Sequence, residues 1–205
     1  MATAEYDGIS LETPENVYEP REDSFLLADS VKRFARGKVL DVGTGSGIQA
    51  IAAARKKEVE KVVAADINPD AIECAVANAE KNNVLGKILF LESDLFHGLN
   101  PTWKKEFDAI CFNPPYLPTG PGEHVAGAYD DALDGGKSGR ETTDRFLAGF
   151  EEWLAPGGVL LLLQTSLSDK GETEKILRRK NYRVERVGEN SFFFEKIFVL
   201  KAGKV

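Results

Sequence analysis

Five runs of apolar residues recur along the chain, and each run is continuous rather than alternating. The runs are KVLDVG (38–43), KVVAADI (61–67), KILFLES (87–93), FDAICFN (107–113) and GGVLLLLQT (157–165). Strands that are buried on both faces of a parallel sheet have this continuous pattern, whereas half-exposed strands alternate apolar and polar residues. The pattern therefore predicts five parallel strands in the interior of a sheet.

Segments with helical periodicity separate these runs. They predict five helices, at 22–35, 48–57, 68–83, 142–158 and 169–181. The third helix opens with Asn68 as a candidate N-cap and Pro69 at its first position. The end of the chain differs, because YRVERVGE (182–189) and SFFFEKIFVLK (191–201) predict two strands of a hairpin.

This order of elements predicts a doubly wound, Rossmann-like α/β fold. Its sheet is expected to have seven strands, with the C-terminal hairpin antiparallel to the rest. We expect residues 1–205 to form a single domain, with residues 1–16 as a flexible N-terminal segment.

Composition narrows the class of protein. The chain has 26 Lys and Arg residues against 33 Asp and Glu residues, a net charge of −7, which disfavours a long surface that follows nucleic-acid phosphates. Cys74 and Cys111 form no CxxC motif and are expected to be reduced core thiols. No signal-peptide core and no membrane-length apolar stretch is present. We expect a cytoplasmic protein that does not bind membranes.

The first predicted strand leads into DVGTGSG, which holds Asp41 and the glycines Gly43, Gly45 and Gly47. Glycines spaced by two let the backbone turn tightly and approach a ligand closely. Ile48 stands where the dinucleotide-binding pattern G-x-G-x-x-G has its third glycine, so the loop departs from that pattern. Taken alone, the loop is also explained as a glycine-rich turn.

Acidic residues follow the second and third predicted strands. Asp66 can accept hydrogen bonds from both ribose hydroxyls of a nucleoside, and Asn68 already fills the competing role of helix cap. Asp94, in SDLF, can accept from an exocyclic amine such as that of adenine, although a turn aspartate is an equally good explanation. The glycine loop and Asp66 together suit an adenosine-containing cofactor.

The fourth predicted strand ends in FNPPYLPT (112–119). Asn113 offers a side-chain carbonyl and Pro114 a backbone carbonyl, and the adjacent prolines stiffen this segment. Two acceptors held side by side suit a planar NH2 group, and Tyr116 can stack on its plane or donate to its oxygen. The segment therefore predicts a site for an amide or an aromatic amine.

Methylation of such a nitrogen depends on positioning and on polarisation as its positive charge develops, so no strong general base is needed before attack. The motif contains neither Lys nor His, which fits this chemistry. His97 and His124 have no metal-ligand spacing and are interpreted as surface or loop residues. No metal site is predicted.

The combination of DVGTGSG, ADIN, SDLF and NPPY resembles the HemK-like class I S-adenosylmethionine-dependent methyltransferases. VYEPREDSFLLAD (17–29) and DGGKSGRETTDRF (134–146) are similar to the short archaeal and eukaryotic branch. The resemblance extends from about Val17 to Val199. It implies N5-methylation of the glutamine in the Gly-Gly-Gln loop of a class I translation release factor. S-adenosyl-L-methionine would be the donor, and S-adenosyl-L-homocysteine the product.

The resemblance also implies roles for individual residues. Cofactor contacts fall on Tyr18, Pro20, Ser24, Asp41, Gly43, Gly45, Gly47, Asp66, Asp94, Leu95 and Asn113. Asn113 would bind the glutamine amide, assisted by Pro114 and Tyr116. Close relatives often have Glu at the position of Asp41, and either carboxylate can serve.

Two partner surfaces are expected. The stretch between Tyr116 and Arg140 is long, glycine-rich and acidic (Glu123, Asp130, Asp131 and Asp134), which favours a basic protein loop over DNA, although a solvated, disordered loop explains the unbound state equally well. The third strand is expected at an apolar sheet edge. Relatives bind a small zinc-containing activator subunit there, and we carry that partner as a hypothesis.

Two other functions share parts of these motifs. Asn-Pro-Pro-Tyr also occurs in amino-methyltransferases of adenine and cytosine, so an adenine N6-methyltransferase acting on DNA or RNA is an alternative. Against it, the chain shows no target-recognition domain and no basic stretch beyond LRRKNYR (177–183). A non-catalytic adenosine-binding module is a second alternative, but such a protein needs no amine site.

Overall fold

The computed structural model describes residues 1–119, 130–168, 170–193 and 195–205. The strands are β1 (Ala2–Tyr6), β2 (Ile9–Thr13), β3 (Gly37–Val42), β4 (Val59–Asp66), β5 (Ile88–Glu92), β6 (Phe107–Phe112), β7 (Leu154–Thr165), β8 (Tyr182–Ser191) and β9 (Lys196–Lys204). The helices are α1 (Glu22–Phe34), α2 (Ile48–Ala54), α3 (Pro69–Lys81), α4 (Asp130–Leu133), α5 (Glu141–Gly149) and α6 (Lys170–Arg179). None of these helices is long and apolar enough to cross a membrane.

Seven of the strands form one sheet in the order β5-β4-β3-β6-β7-β9-β8. The strands from β5 to β7 in this order are parallel, and β9 pairs antiparallel with both β7 and β8. The predicted doubly wound sheet with an antiparallel C-terminal hairpin is confirmed. After β3 the chain builds one side of the sheet with β4 and β5, and it then returns to β6 on the other side. Ligands of such folds bind at this switch point.

Alternate residues of the central strands face two apolar layers. Cys111 and Leu161 belong to the layer that also contains Leu27 of α1. Ile110 and Leu160 lie on the opposite face, in the layer that contains the single aromatic residue of α5. All five residues have no exposed surface. Burial on both faces explains the continuous apolar runs, and it fixes the carboxyl ends of β3 to β6 along one edge of the sheet.

Residues 2–13 show that the prediction of a flexible N-terminal segment is wrong. β1 and β2 form an antiparallel hairpin outside the main sheet. Ile9 and Leu11 of β2 are each only 1% exposed and join the apolar layer of α1 and α2. The short alternating pattern of these strands is too weak to predict from sequence, because their burial depends on a distant helix.

Asn78 of α3 and Asn82, the residue directly after α3, hydrogen-bond to the backbone of β2 as a neighbouring strand would. Asn82 accepts from the backbone N–H of Ser10 (3.1 Å) and donates to its carbonyl oxygen (2.8 Å). Asn78 makes the same pair of bonds with Glu12, at 2.9 and 3.0 Å. Four residues of a helix rise about 6 Å and two residues of a strand about 7 Å, so the two spacings match. The asparagines thereby anchor the hairpin.

The predicted helix at 142–158 is wrong in its second half. α5 ends at Gly149, a single 3-10 turn follows at Phe150–Glu152, and β7 begins at Leu154. Pro156 lacks the backbone N–H that a helix interior needs, and Gly157 adopts a left-handed φ of 76°. Pro156 and Gly157 therefore lie in β7 and not at the end of the helix, and the predicted segment 142–158 covers a helix, a 3-10 turn and the start of a strand.

The connection between β6 and α5 is ordered on both sides of the undescribed residues 120–129. The N–H of Leu117 donates to the carbonyl oxygen of Leu133, and the N–H of Gly135 donates to that of Leu117, both at 2.9 Å. Asp134 accepts from the N–H of Gly136 and from the hydroxyl of Thr119. The segment after Tyr116 is therefore held by residues 133–136. Glu123 and His124 lie outside the described residues.

Candidate active site

A cavity of about 720 Å³ opens where the carboxyl ends of β3, β4, β5 and β6 meet the start of α1. This volume is typical of small-molecule sites. The residues predicted for the site that line the cavity are Tyr18, Ser24, Gly43, Gly45, Asp66, Asp94, Leu95, Asn113, Pro114 and Tyr116. Predicted residues from five separate segments of the chain therefore meet in one place.

Three residues that were predicted to contact a cofactor, Pro20, Asp41 and Gly47, are not among the residues that line the cavity. Pro20 is buried ahead of α1. Gly47 has a φ of 84°, and a Cβ added there would lie 3.0 Å from the Cβ of Ala75 on α3. Gly47 is thus required for the close approach of the glycine loop to α3, and its predicted cofactor contact stays a prediction.

Asp41 is a buried carboxylate that holds the glycine loop from behind. It is 1% exposed, and its Oδ2 accepts from the hydroxyl of Thr44 (2.7 Å) and the N–H of Ala50 (3.1 Å). Burial raises the pKa of Asp41 to about 7, against hydrogen bonds from Thr44, the thiol of Cys111 and Ala50 that lower it. The residue joins β3, the loop and α2, and in the structure it acts on the cavity only through that loop.

Asp66 links the glycine loop to the end of β4. Its Oδ2 accepts from the N–H of Gly45 (2.8 Å) and its Oδ1 from the N–H of Asn68 (3.0 Å). Burial raises the pKa of Asp66, and these backbone donors oppose the rise. A carboxylate has about four lone-pair sites, so Asp66 keeps capacity for the hydroxyls of a ligand. Asn68 is the N-cap of α3, as predicted, since its side chain accepts from the N–H of Asp70 at 2.9 Å.

The third strand end is shaped by an ion pair and a strained turn. Asp94 accepts from Arg145 of α5 at 2.5 Å, a partner that the sequence did not indicate. Leu95 has a left-handed φ of 50°, which is rare for a bulky side chain. The hydroxyl of Ser93 fixes this turn by donating to the carbonyl oxygen of Leu95 (2.9 Å) and accepting from the N–H of Gly98 (2.8 Å).

Asn113 is bound on one side and unpaired on the other. Its Nδ2 donates to Oδ2 of Asp23, in the first turn of α1, at 3.0 Å. Its Oδ1 is buried and accepts no hydrogen bond from any described residue. A buried acceptor without a partner costs about 1–3 kcal/mol. The Oδ1 atom of Asn113 is therefore available to accept a hydrogen bond from a ligand in the cavity.

Two tyrosines surround the carboxylate of Asp23. The hydroxyl of Tyr18 lies 3.2 and 3.3 Å from its two oxygens, and Tyr116 is 8% exposed. Burial, followed by the negative charge of Asp23, raises the pKa of both phenols above the ordinary value. Both phenols therefore stay protonated at neutral pH and remain hydrogen-bond donors.

Gln49, in the first turn of α2, is a second polar residue with a reserved acceptor. It lines the cavity and is 4% exposed. Its Nε2 donates to the carbonyl oxygen of Ser24 at 2.9 Å, while its Oε1 is buried without a partner among the described residues. The start of α1 thus holds the amide nitrogens of both Asn113 and Gln49.

Sequence reasoning missed Asp23 and Gln49, although each left a signal. Asp23 is directly before the predicted Ser24, in the first turn of a helix, where an anionic side chain is favoured by the helix dipole. Gln49 is the single polar residue of the helix IQAIAAA. When a helix that follows a glycine loop is otherwise apolar, a single polar residue in it indicates a specific hydrogen-bond partner or ligand.

Within the described part of the chain, no group of three or more His, Cys, Asp or Glu residues is placed so that it could hold a metal ion. The side chain of His97 is 81% exposed, and its nearest acidic neighbour is Asp94 at 3.8 Å.

The sheet order, the antiparallel last hairpin and the cavity at the strand ends define the class I methyltransferase fold. The chain belongs to the methyltransferase small domain family, whose model matches residues 20–126. It is therefore a methyltransferase.

Curated relatives resemble it along nearly the whole chain. A protein named N5-glutamine methyltransferase from Methanocaldococcus jannaschii is 43% identical over 201 residues, covering 98% of each chain. Methyltransferase HEMK2 from Homo sapiens is 33% identical over 195 residues, covering 92% of this chain and 90% of the human one. Among solved structures, the Mtq2–Trm112 complex of E. cuniculi, described as responsible for methylating the eRF1 translation termination factor, matches with a TM-score of 0.70 at 26% identity. The match covers 93% of this chain and 99% of that chain.

Proposed function

We propose that this protein transfers a methyl group from S-adenosyl-L-methionine to the side-chain nitrogen of the glutamine in the Gly-Gly-Gln motif of a class I translation release factor. The observation that carries the proposal is the buried, unpaired Oδ1 of Asn113 beside the cavity. The names of the relatives, an N5-glutamine methyltransferase and the methylating complex of eRF1, support the same substrate. Since translation termination takes place in the cytoplasm, the enzyme would act there.

The residues around the cavity fit the cofactor. A Cβ added to Gly45 would meet nothing within 4 Å, so the backbone lies open to a ligand there, and Asp66 beside it suits ribose hydroxyls. Gln49 supplies a buried acceptor that suits the ammonium group at the amino-acid end of the cofactor. Asp94 and Leu95 lie at the end of β5, where they would contact the adenine. When bound, the cofactor supplies a methyl group already activated by the sulfonium.

The chain's own contribution is to hold the glutamine amide. The Oδ1 of Asn113 and the carbonyl oxygen of Pro114 would accept the two hydrogens of the amide NH2. This arrangement favours localisation of the nitrogen lone pair and stabilises the positive charge that develops on the nitrogen during transfer. Tyr116, kept protonated by its surroundings, would pack against the amide or donate to its oxygen. Positioning and polarisation then carry the catalysis.

The same proposal extends to a small partner subunit on β5, the edge strand of the sheet. The predicted edge position of the third strand is confirmed, and its Leu89 is 40% exposed, with Leu85 just before it 38% exposed. Apolar edges invite pairing with another chain. The E. cuniculi structure contains such a subunit, Trm112, bound to Mtq2. We propose that an activator of that kind, a small zinc-containing protein, covers β5 here.

Methyl transfer tests the substrate. The protein is incubated with labelled S-adenosyl-L-methionine and a class I release factor, a version with Gly-Gly-Ala in place of Gly-Gly-Gln, or DNA. We expect label on the intact factor alone, with the added mass on the glutamine. Label on DNA would favour the adenine N6-methyltransferase, and equal label on both factors would exclude the glutamine.

Substitution on the edge strand tests the partner. Leu89→Glu should abolish co-purification with a Trm112-type subunit, whereas Leu167→Glu, at a residue of similar exposure (45%) on the loop after β7, should leave it intact. Equal binding of the subunit by both variants would show that it does not bind at β5.

A further inference from the structure

We propose that Asp23 is a positioning residue that fixes and polarises the amide of Asn113, so that Oδ1 is presented to the substrate NH2 group. The inference rests on the proposed function of Asn113. Asp23 is separated from Asn113 by 90 residues of sequence, yet the carboxylate and the Nδ2 are 3.0 Å apart. The prolines that follow Asn113 constrain only the backbone, so the orientation of its side chain depends on this contact with Asp23.

The chemistry of the contact determines the orientation of the amide. An ionised carboxylate only accepts hydrogen bonds, so it must face the NH2 of Asn113 rather than its oxygen. Rotating the amide by half a turn would place Oδ1 against a carboxylate oxygen and break the bond. Asp23 therefore selects one of two amide orientations of nearly equal shape, and the selected one leaves Oδ1 unpaired.

Asp23 is itself held rigidly. It is 4% exposed, and its Oδ1 accepts from the backbone N–H of Ser24 at 2.7 Å. The hydroxyls of Tyr18 and Ser24 approach the carboxylate at 3.2 Å or slightly more. Both donors of Ser24 bind Oδ1, the Tyr18 hydroxyl lies near both oxygens, and Oδ2 accepts from Asn113. In metal sites, partners that orient a ligand change affinity or activity by about 10- to 100-fold when they are removed, and we expect an effect of similar size here.

The contact also has an electronic effect. Hydrogen bonds to charged groups are stronger than neutral ones, and linked hydrogen bonds polarise one another. An amide that donates through its nitrogen to an anion carries more negative charge on its oxygen. The oxygen of Asn113 thereby becomes a better acceptor for an NH2 group on which positive charge develops.

The reciprocal exchange of the two side chains separates this role from a purely structural one. Asp23→Asn should lower kcat about 10-fold. Asn113→Asp should lower it about 100-fold, because it sets two carboxylates against each other. The double variant restores a donor–carboxylate pair in reverse and still leaves one oxygen of residue 113 as an acceptor. We expect it to be at least about 5-fold more active than Asn113→Asp alone.

Asp29→Asn is the matched control, since it removes the same charge from an exposed site on the same helix and should leave kcat unchanged. Side-chain NMR signals of Asn113 give a second readout that needs no substrate. Its NH2 protons should be shifted and slowly exchanging in the wild type, and should lose both properties in Asp23→Asn. The inference is overturned if the losses of the two single variants multiply in the double variant, or if the NH2 signals are insensitive to Asp23→Asn. Failure of the wild type to methylate a release factor would overturn the proposed function instead, while the NMR result would still decide whether Asp23 orients Asn113.

Discussion

The two halves of the cleft treat their polar atoms differently. On the glycine-loop side, the carboxylates of Asp41 and Asp66 each accept backbone N–H groups of the loop or of the helix that follows their strand. On the side formed by α1 and the end of β6, Asp23 accepts from Asn113, which leaves Oδ1 of that residue unpaired. The two carboxylates of the first half bind the backbone around the glycine loop, whereas Asp23 in the second half also binds a side chain whose oxygen stays unpaired. The other unpaired buried acceptor, Oε1 of Gln49, lies on α2 and is assigned to the cofactor rather than to the substrate amide.

This difference indicates where substrate chemistry takes place. Hydrogen bonds within the protein make the glycine-loop half rigid. A ligand bound there can use only the carboxylate lone pairs that these bonds leave free. A buried acceptor without a partner is a local cost to stability that a ligand can relieve. We infer that the glycine-loop half determines cofactor affinity and that the Asn113 half determines turnover. Substitutions in the two halves should therefore separate the two properties.

The largest effect is expected at Asn113. Asn113→Ala should lower kcat by at least about 100-fold, the usual cost of removing one preorganised polar contact in a transition state. Cofactor affinity, measured by calorimetry, should change little because the ribose and adenine contacts are retained. Turnover close to that of the wild type would show that Asn113 has no role in methyl transfer. It would also contradict the assignment of turnover to the Asn113 half of the cleft.

Asp66→Ala should have the opposite profile. Loss of a carboxylate that accepts from hydroxyl groups is expected to weaken cofactor binding by about 10- to 100-fold. At saturating cofactor, kcat should stay within about 3-fold of the wild type, which steady-state kinetics at several cofactor concentrations would establish. A fall in kcat with unchanged cofactor affinity would contradict this prediction, because it would show that Asp66 acts in turnover and not in cofactor binding.

Asp41→Asn should change the pH dependence of stability. Burial raises the pKa of Asp41 from 3.8 to about 7, so the folded protein holds an extra proton between these values. The stabilising contribution is complete below the unfolded pKa and is lost as the pH rises through the folded pKa. Relative to the variant, the wild-type free energy of unfolding should therefore fall by up to about 1.4 kcal/mol per pH unit across that window.

Chemical denaturation of both proteins across the same pH range measures this difference. Parallel pH profiles for the two proteins would mean that Asp41 has the same pKa folded and unfolded, and that it does not hold the loop as a buried carboxyl.

The smallest effect is expected at Arg145. Its pair with Asp94 joins two side chains that are 51% and 37% exposed, and such pairs contribute about 0–1 kcal/mol. Arg145→Gln should change thermal stability by only a few degrees at most. Cofactor affinity should stay within a few-fold, since Asp94 keeps its carboxylate. A large loss of affinity would show that Arg145 contacts the cofactor directly.

The sequence predicted the parts of the fold that local chemistry determines. Continuous apolar runs located the inner strands, and the residues after them located Gly45, Asp66 and Asn113 at one cavity. The sequence did not predict interactions between residues that lie far apart in the chain. The hairpin at 2–13 depends on Asn78 of α3 and on Asn82 directly after it, whose pairing with β2 appears only in three dimensions.

The same limit applies within the site. Asp41 and Asp66 each lie near the end of a predicted strand, so their positions are visible in the sequence. The backbone groups that they bind, such as the N–H of Gly45 for Asp66, appear only in the structure. Asp23 and Asn113 form one unit that 90 residues of sequence separate. A glycine pattern likewise cannot show that Gly47 serves packing against α3 while Gly45 faces open space.

The most direct test of the central claim is the structure of the protein with S-adenosyl-L-homocysteine and a Gly-Gly-Gln peptide of the release factor. The account predicts that the glutamine Nε2 lies about 2.7–3.2 Å from Oδ1 of Asn113, with Nδ2 still bound to Asp23. A glutamine amide bound elsewhere, with Oδ1 of Asn113 paired to a group of the protein itself, would contradict it.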